Sequence, residues 1–148
     1  MNRARVLVAE DHPGVAAALR GLLEREFEVI AVVEDGDTLL KVAAETDPDV
    51  VVTDIVMPQR DGIRATEVLI AQRPGVRVVL VTVHDDPELA QRGYAAGALA
   101  CVLKRTAAHD LVPAVRAALR GERYDTSRGS GGRPQRPPAT AEGGPNAG

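Results

Sequence analysis

Short runs of β-branched and aliphatic residues alternate, over roughly the first 120 positions, with longer stretches whose apolar residues return every three or four places. The runs are Val6 to Ala9, Val29 to Val33, Val50 to Thr53, Val76 to Val81 and Ala100 to Leu103. They predict five strands. Between the first two, Val15, Leu19, Leu22, Leu23 and Phe27 fall on one face of a helix opened by Pro13 and Gly14. A second, weaker helix is expected over Thr38 to Glu45, with Leu39, Leu40 and Val42 as its apolar contacts. Ile63, Leu69 and Ile70 mark a third, and Pro87 to Gly97, carrying Leu89, Ala90 and Tyr94, a fourth. The fifth holds Leu111, Val112, Val115, Ala118 and Leu119, with Thr106 as the expected N-cap. Pro113 is tolerable there only within the first turns.

Strict βα alternation with nearly continuous apolar strands implies a five-stranded parallel sheet covered by helices on both faces, a doubly wound α/β sandwich of three layers. The folded unit is expected over residues 1–122. From residue 123 to 148 the chain loses apolar periodicity and becomes rich in Gly, Pro and Arg. Such a segment buries too little surface to offset its ordering entropy and is expected to be a disordered tail.

Composition narrows the functional classes. The formal charge is −3 and only three residues are aromatic, so neither a basic footprint for DNA nor stacking platforms for single strands are present. One cysteine, Cys101, excludes an internal disulfide framework and a cysteine-based zinc cluster, and reads as a small buried hydrophobe. His12, His84 and His109 are scattered without metal spacing, and Lys41 reads as a solvated helix residue. No apolar stretch approaches the roughly 18 residues of a membrane span, and a cytoplasmic location is expected.

In an open α/β sheet the ligand site lies beyond the carboxyl ends of the strands. Four of the five ends carry reactive groups: Glu10 and Asp11 after the first, Asp54 after the third, Thr82 after the fourth and Lys104 after the fifth. Parallel strands would bring them to one edge. Three carboxylates there would repel one another unless a cation sits among them, and a hard divalent ion such as Mg2+ suits an all-oxygen set. Lys104 would add a fixed positive charge and Thr82 a hydroxyl, the donors a transferring phosphoryl group needs. Asp54, central in the sheet, is the candidate nucleophile for an aspartyl-phosphate.

These segments, EDHP, VVTDIVMPQRDG, LVTVHDDP, LACVLK and the closing ALRGERY, resemble the receiver domain of two-component response regulators, and within it the NarL/FixJ-type group. The resemblance covers roughly residues 4 to 123 and implies a flavodoxin-like sheet in the order 2-1-3-4-5. It implies Asp54 as phosphoacceptor, Mg2+ held by Glu10, Asp11, Asp54 and the backbone carbonyl of Val56, Lys104 paired to the phosphoryl group, and Thr82 turning toward it after transfer. A sensor histidine kinase would be the donor. The chain would be a self-phosphorylating switch, not a turnover enzyme, able to dimerise through its fourth helix, fifth strand and fifth helix. An aspartate-nucleophile phosphatase would need an acid two residues after Asp54, where Val56 stands.

One position departs from the family pattern: Cys101 stands where an aromatic residue usually turns inward with Thr82. A receiver-like module that binds partners without phosphorylation is therefore the competing reading. The NarL/FixJ-type likeness would also predict a helix-turn-helix domain, for which the 24 residues after Tyr124 leave no room. Direct DNA binding by this chain alone is not expected, and the tail reads either as that of a stand-alone receiver or as the remnant of a longer regulator.

Overall fold

The computed structural model describes residues 3–125 and 134–135. Its elements are β1 (Arg5–Ala9), α1 (Pro13–Glu24), β2 (Glu28–Val33), α2 (Gly36–Thr46), β3 (Val50–Asp54) and α3 (Gly62–Gln72). They continue through β4 (Arg77–Thr82), α4 (Pro87–Ala96), β5 (Ala100–Leu103), a single 3-10 turn at Lys104–Thr106, α5 (Ala107–Leu119), β6 (Arg123–Asp125) and β7 (Pro134–Gln135). The first five strands are parallel in the order β2-β1-β3-β4-β5, as the alternation and the resemblance required.

Alternate residues of each strand feed two separate cores, because successive side chains of a strand leave on opposite faces. Val6 and Val8 of β1 join Val50 and Val52, Leu19 and Leu23 of α1, and Leu111 and Val115 of α5. Leu7 and Ala9 join Val51, Leu80 and Cys101 beneath α2, α3 and α4, with Leu39, Ala43, Leu69 and Ala90 supplying the helical side. Helix α1 begins at Pro13, whose missing N–H costs nothing in a first turn, and His12 caps it through Nδ1, accepting from Val15 N at 3.3 Å. Asp35, Asp61 and Asp86 do the same for α2, α3 and α4. Gly97 ends α4 at φ +113°, a conformation open to glycine at little cost.

The expected boundary needs correction. Arg123–Asp125, assigned from the sequence to a tail starting at 123, forms a sixth strand parallel to β5, and Pro134–Gln135 pairs antiparallel with it. Tyr124 is buried and supplies the apolar side chain that holds the segment down. The other residues of the expected tail lie outside those described. Thr106 precedes α5 as expected but makes no side-chain cap, since its hydroxyl donates instead to Leu103 O at 3.3 Å. Pro113 lies within the second turn of α5. Among the described residues, no helix is long and apolar enough to cross a membrane.

Candidate functional site

The parallel register brings the ends of β1, β3, β4 and β5 to one edge, and the four reactive groups with them. Asp54 is the last residue of β3 and Thr82 the last of β4, while Glu10 follows β1 and Lys104 follows β5. Lys104 Nζ lies 2.9 Å from Asp54 Oδ2 and 2.8 Å from Glu10 Oε1. Glu10 is 1% exposed, and its Oε2 accepts from His12 N at 3.1 Å. Asp54 is 6% exposed, and its Oδ1 accepts from Val56 N at 3.3 Å. Burial penalises the Lys104 ammonium, yet its short contacts with Glu10 and Asp54 and their charges outweigh that penalty and hold its pKa above the ordinary lysine value.

Glu10, Asp11 and Asp54 each place a carboxylate oxygen within 4.8 Å of the others. Three carboxylates face one ammonium, so two negative charges stay uncompensated at an edge where two of the three acids are buried. Glu10 Oε1 adds to this: it is buried and touches Lys104 only as an ion pair, without a well-directed hydrogen bond. An all-oxygen set with that charge fits a hard divalent cation such as Mg2+ and lacks the nitrogen and sulfur ligands that zinc favours.

Loop geometry explains how Asp54 reaches this position. The chain turns back after β3 so that Gly62 N donates to Ile55 O at 2.7 Å, and a Cβ at Gly62 would stand 2.1 Å from Asp54 O. Only glycine permits that approach, and Gln59 at φ +72° completes the turn. Thr82 is buried, and its Oγ accepts from His84 N at 3.0 Å, leaving the hydroxyl proton to be donated elsewhere. Val56 and Val83, 61% and 62% exposed, flank the acid group with uncovered apolar side chains. His84 and Asp11 are exposed at the same edge, whereas Lys41 and His109 lie on helices outside it. Cys101 is buried on the α4 side of β5, in register with Leu80.

Residues 6–116 match the family model for the response regulator receiver domain. The chain belongs to that family. It is 33% identical over 123 residues to the uncharacterized transcriptional regulatory protein YxjL of Bacillus subtilis, covering 82% of this chain and 56% of that protein. This receiver thus spans little more than half the length of that curated relative. Among solved structures it is similar to a two-component response regulator of the LuxR family from Aurantimonas sp. SI85-9A1, with TM-score 0.80 and 32% identity over 86% of this chain and 92% of that one. It is also similar to the Salmonella typhimurium RcsB response regulator, with TM-score 0.76 and 28% identity over 82% of this chain and 62% of that one. RcsB has been seen as dimers bound to DNA.

A crevice of about 450 Å3 opens at the opposite edge of the sheet, lined among others by Asp47, Asp49, Arg73, Arg77 and Leu119. It shares no residue with the acid group. This crevice and the acid group are on different sides of the receiver.

Proposed function

We propose that this receiver accepts a phosphoryl group on Asp54 from a sensor histidine kinase in a Mg2+-dependent reaction, and that the acylphosphate switches its contacts with partners. The observation that carries the reading is the Lys104 ammonium between Glu10 and Asp54, 2.8 and 2.9 Å from them, beside two uncompensated carboxylate charges. An Asp54 oxygen attacks phosphorus, the bond from phosphorus to the donor's imidazole nitrogen breaks, and that nitrogen keeps the electron pair. Mg2+ held by Glu10, Asp11, Asp54 and the carbonyl of Val56 would supply charge neutralisation at the transferring oxygens.

The chain's own groups do the rest. Lys104 fixes the acceptor carboxylate through Oδ2 and stands ready to follow charge onto the phosphoryl oxygens. Thr82, one residue beyond the Val81 that pairs with Asp54 across β3 and β4, has a hydroxyl proton to offer a new anionic acceptor. Val56 carries no acid that could activate water, which supports a phosphoacceptor that acts in its own modification and is not a turnover enzyme. A cytoplasmic location goes with this role. RcsB dimers support a homodimer as one output contact, for which α4, β5 and α5 are the face we propose once β6 has left the β5 edge.

Incubation with acetyl phosphate and Mg2+, followed by intact-mass measurement, tests the reading. The wild type is expected to gain one phosphoryl mass, and Asp54→Asn or omission of Mg2+ to abolish the gain. An unmodified wild type would overturn it in favour of a phosphorylation-independent interaction module.

A further inference from the structure

Residues 123–125 do more than extend the sheet. Tyr124 N donates to Leu99 O at 2.9 Å, and the Tyr124 ring, 4% exposed, reaches across the edge of β5 to α5, where its hydroxyl donates to the buried Asp110 Oδ1 at 3.2 Å. On the other side, Tyr94 near the end of α4 donates its hydroxyl to Tyr124 O at 3.4 Å, and the Arg123 guanidinium lies 4.0 Å from the centre of the Tyr94 ring. Three short contacts thus tie one strand to two helices.

The two helices are anchored very differently. Helix α5 buries seven residues, among them Leu111 and Val115. Helix α4 buries only Ala90 and Gly93, both small, and residues 83–86, which join it to Thr82, are exposed, as are its first two residues. An element with so little buried apolar surface is the one free to shift at low cost. Its first turn is linked to the acid group through a short path, from Thr82 Oγ to His84 N and on to the Asp86 cap. A phosphoryl group on Asp54 would accept the hydroxyl proton that Thr82 does not spend on His84, and turning the Thr82 side chain toward that anionic oxygen would draw its Oγ away from His84 N. Movement at the start of α4 would then be felt at Tyr94, at its far end.

We propose that phosphoryl occupancy of Asp54 releases the docked Arg123–Asp125 strand from the groove along the β5 edge between α4 and α5 by loosening the Tyr94 latch. The groove thereby provides a readout at the Cys101 strand that needs no aromatic side chain at Cys101 itself. The coupling rests on the phosphoacceptor reading above; the docking does not.

Amide hydrogen exchange in the full chain separates the two. Tyr94→Phe keeps the ring for Arg123 but removes the donor to Tyr124 O, and is expected to speed exchange at the Tyr124 amide about threefold or more while leaving Leu80 and Val102 unchanged. Beryllofluoride with Mg2+ is expected to slow exchange around Asp54 to Val56 and to speed it at Tyr124 about tenfold in the wild type. Unchanged Tyr124 exchange in Tyr94→Phe would overturn the latch. Slowed exchange at Asp54 with unchanged Tyr124 would overturn the coupling alone. If beryllofluoride protects nothing at Asp54, the phosphoacceptor reading falls and the coupling with it, while docking is still decided by Tyr94→Phe.

Discussion

The two ends of the same five strands carry charge in opposite ways. At the lower end every prominent arginine is closed on acceptors: Arg5 Nη1 donates to Thr46 O and Asp47 O, Arg73 to Asp47 and Ala44 O, and Arg77 to Leu119 O. Asp49 accepts in turn from Arg5 N. At the upper end one lysine serves three carboxylates, and the surplus is negative. Balanced pairs at a loop end cost little and fasten the chain. An unbalanced, half-buried group costs stability and persists where binding a cation or a phosphoryl group repays it. The lower crevice holds about 450 Å3, but its charges are already satisfied, so a cavity alone would point to the wrong end.

The sharpest way to break this contrast is to remove the cation that sits between Glu10 and Asp54. Lys104→Met leaves Glu10 and Asp54 facing each other without compensation and is expected to lower stability by about 3 kcal/mol, since stripping one partner from a buried pair strands the other. Adding Asp54→Asn should recover part of that loss. Urea unfolding of the two single variants and the double variant measures the interaction; equal losses with and without Asp54 would show that Lys104 acts through packing. The sign with pH follows from its raised pKa: the stability the Lys104 ammonium contributes is fully present below the ordinary lysine range and is lost as pH climbs through the higher folded value.

Metal addition sharpens the same contrast from the other direction. Mg2+ at about one hundred times its dissociation constant is expected to stabilise the receiver by about 2.7 kcal/mol, seen as a higher midpoint in thermal unfolding. Asp54→Ala or Asp11→Ala should shrink the gain, and Arg77→Met should leave it intact. A gain that survives loss of Asp11 and Asp54 together would mean that the ion binds elsewhere.

How much of this was legible beforehand differs between the same two kinds of region. The five strands announced themselves because strands buried on both faces admit almost only aliphatic residues, and their carboxyl ends then had to hold the site residues. That Glu10, Asp54, Thr82 and Lys104 lie at one edge was thus legible by position before any distance was known. Strand β6 was not, because Arg-Tyr-Asp offers one apolar residue and no alternation; its stability comes from Asp110, Tyr94 and Leu99, all distant in sequence. Thr106 was misjudged as a side-chain cap for a similar reason: the 3-10 turn before α5 gives its hydroxyl a carbonyl nearer than the helix amides.

At the lower edge, Arg77→Met removes the hydrogen bond that ties the start of β4 to Leu119 O at the end of α5, and is expected to cost about 1 kcal/mol. Acetyl-phosphate labelling should be unchanged in the refolded variant. A labelling defect there would mean that the two edges communicate through α5, and would undo the separation of fastening from function.

The smallest effect at neutral pH belongs to the pair between the two edges. Burial, with the charge and hydrogen bond of Asp110, pushes the Tyr124 phenol up from 10.0 to about 12. Because the neutral phenol is the form the folded state prefers, its contribution is complete below pH 10 and is lost as pH rises through about 12, so nothing should be seen near pH 7. Tyr94 and Tyr124 are the two tyrosines, which makes the near-ultraviolet phenolate absorbance easy to assign. The late-titrating component should vanish in Tyr124→Phe, and Asp110→Asn should bring it down toward the ordinary value by removing the charge while keeping an acceptor for the hydroxyl. A component unmoved by Asp110→Asn would leave burial alone as the cause, and would place this contact with the balanced, fastening pairs of the lower edge.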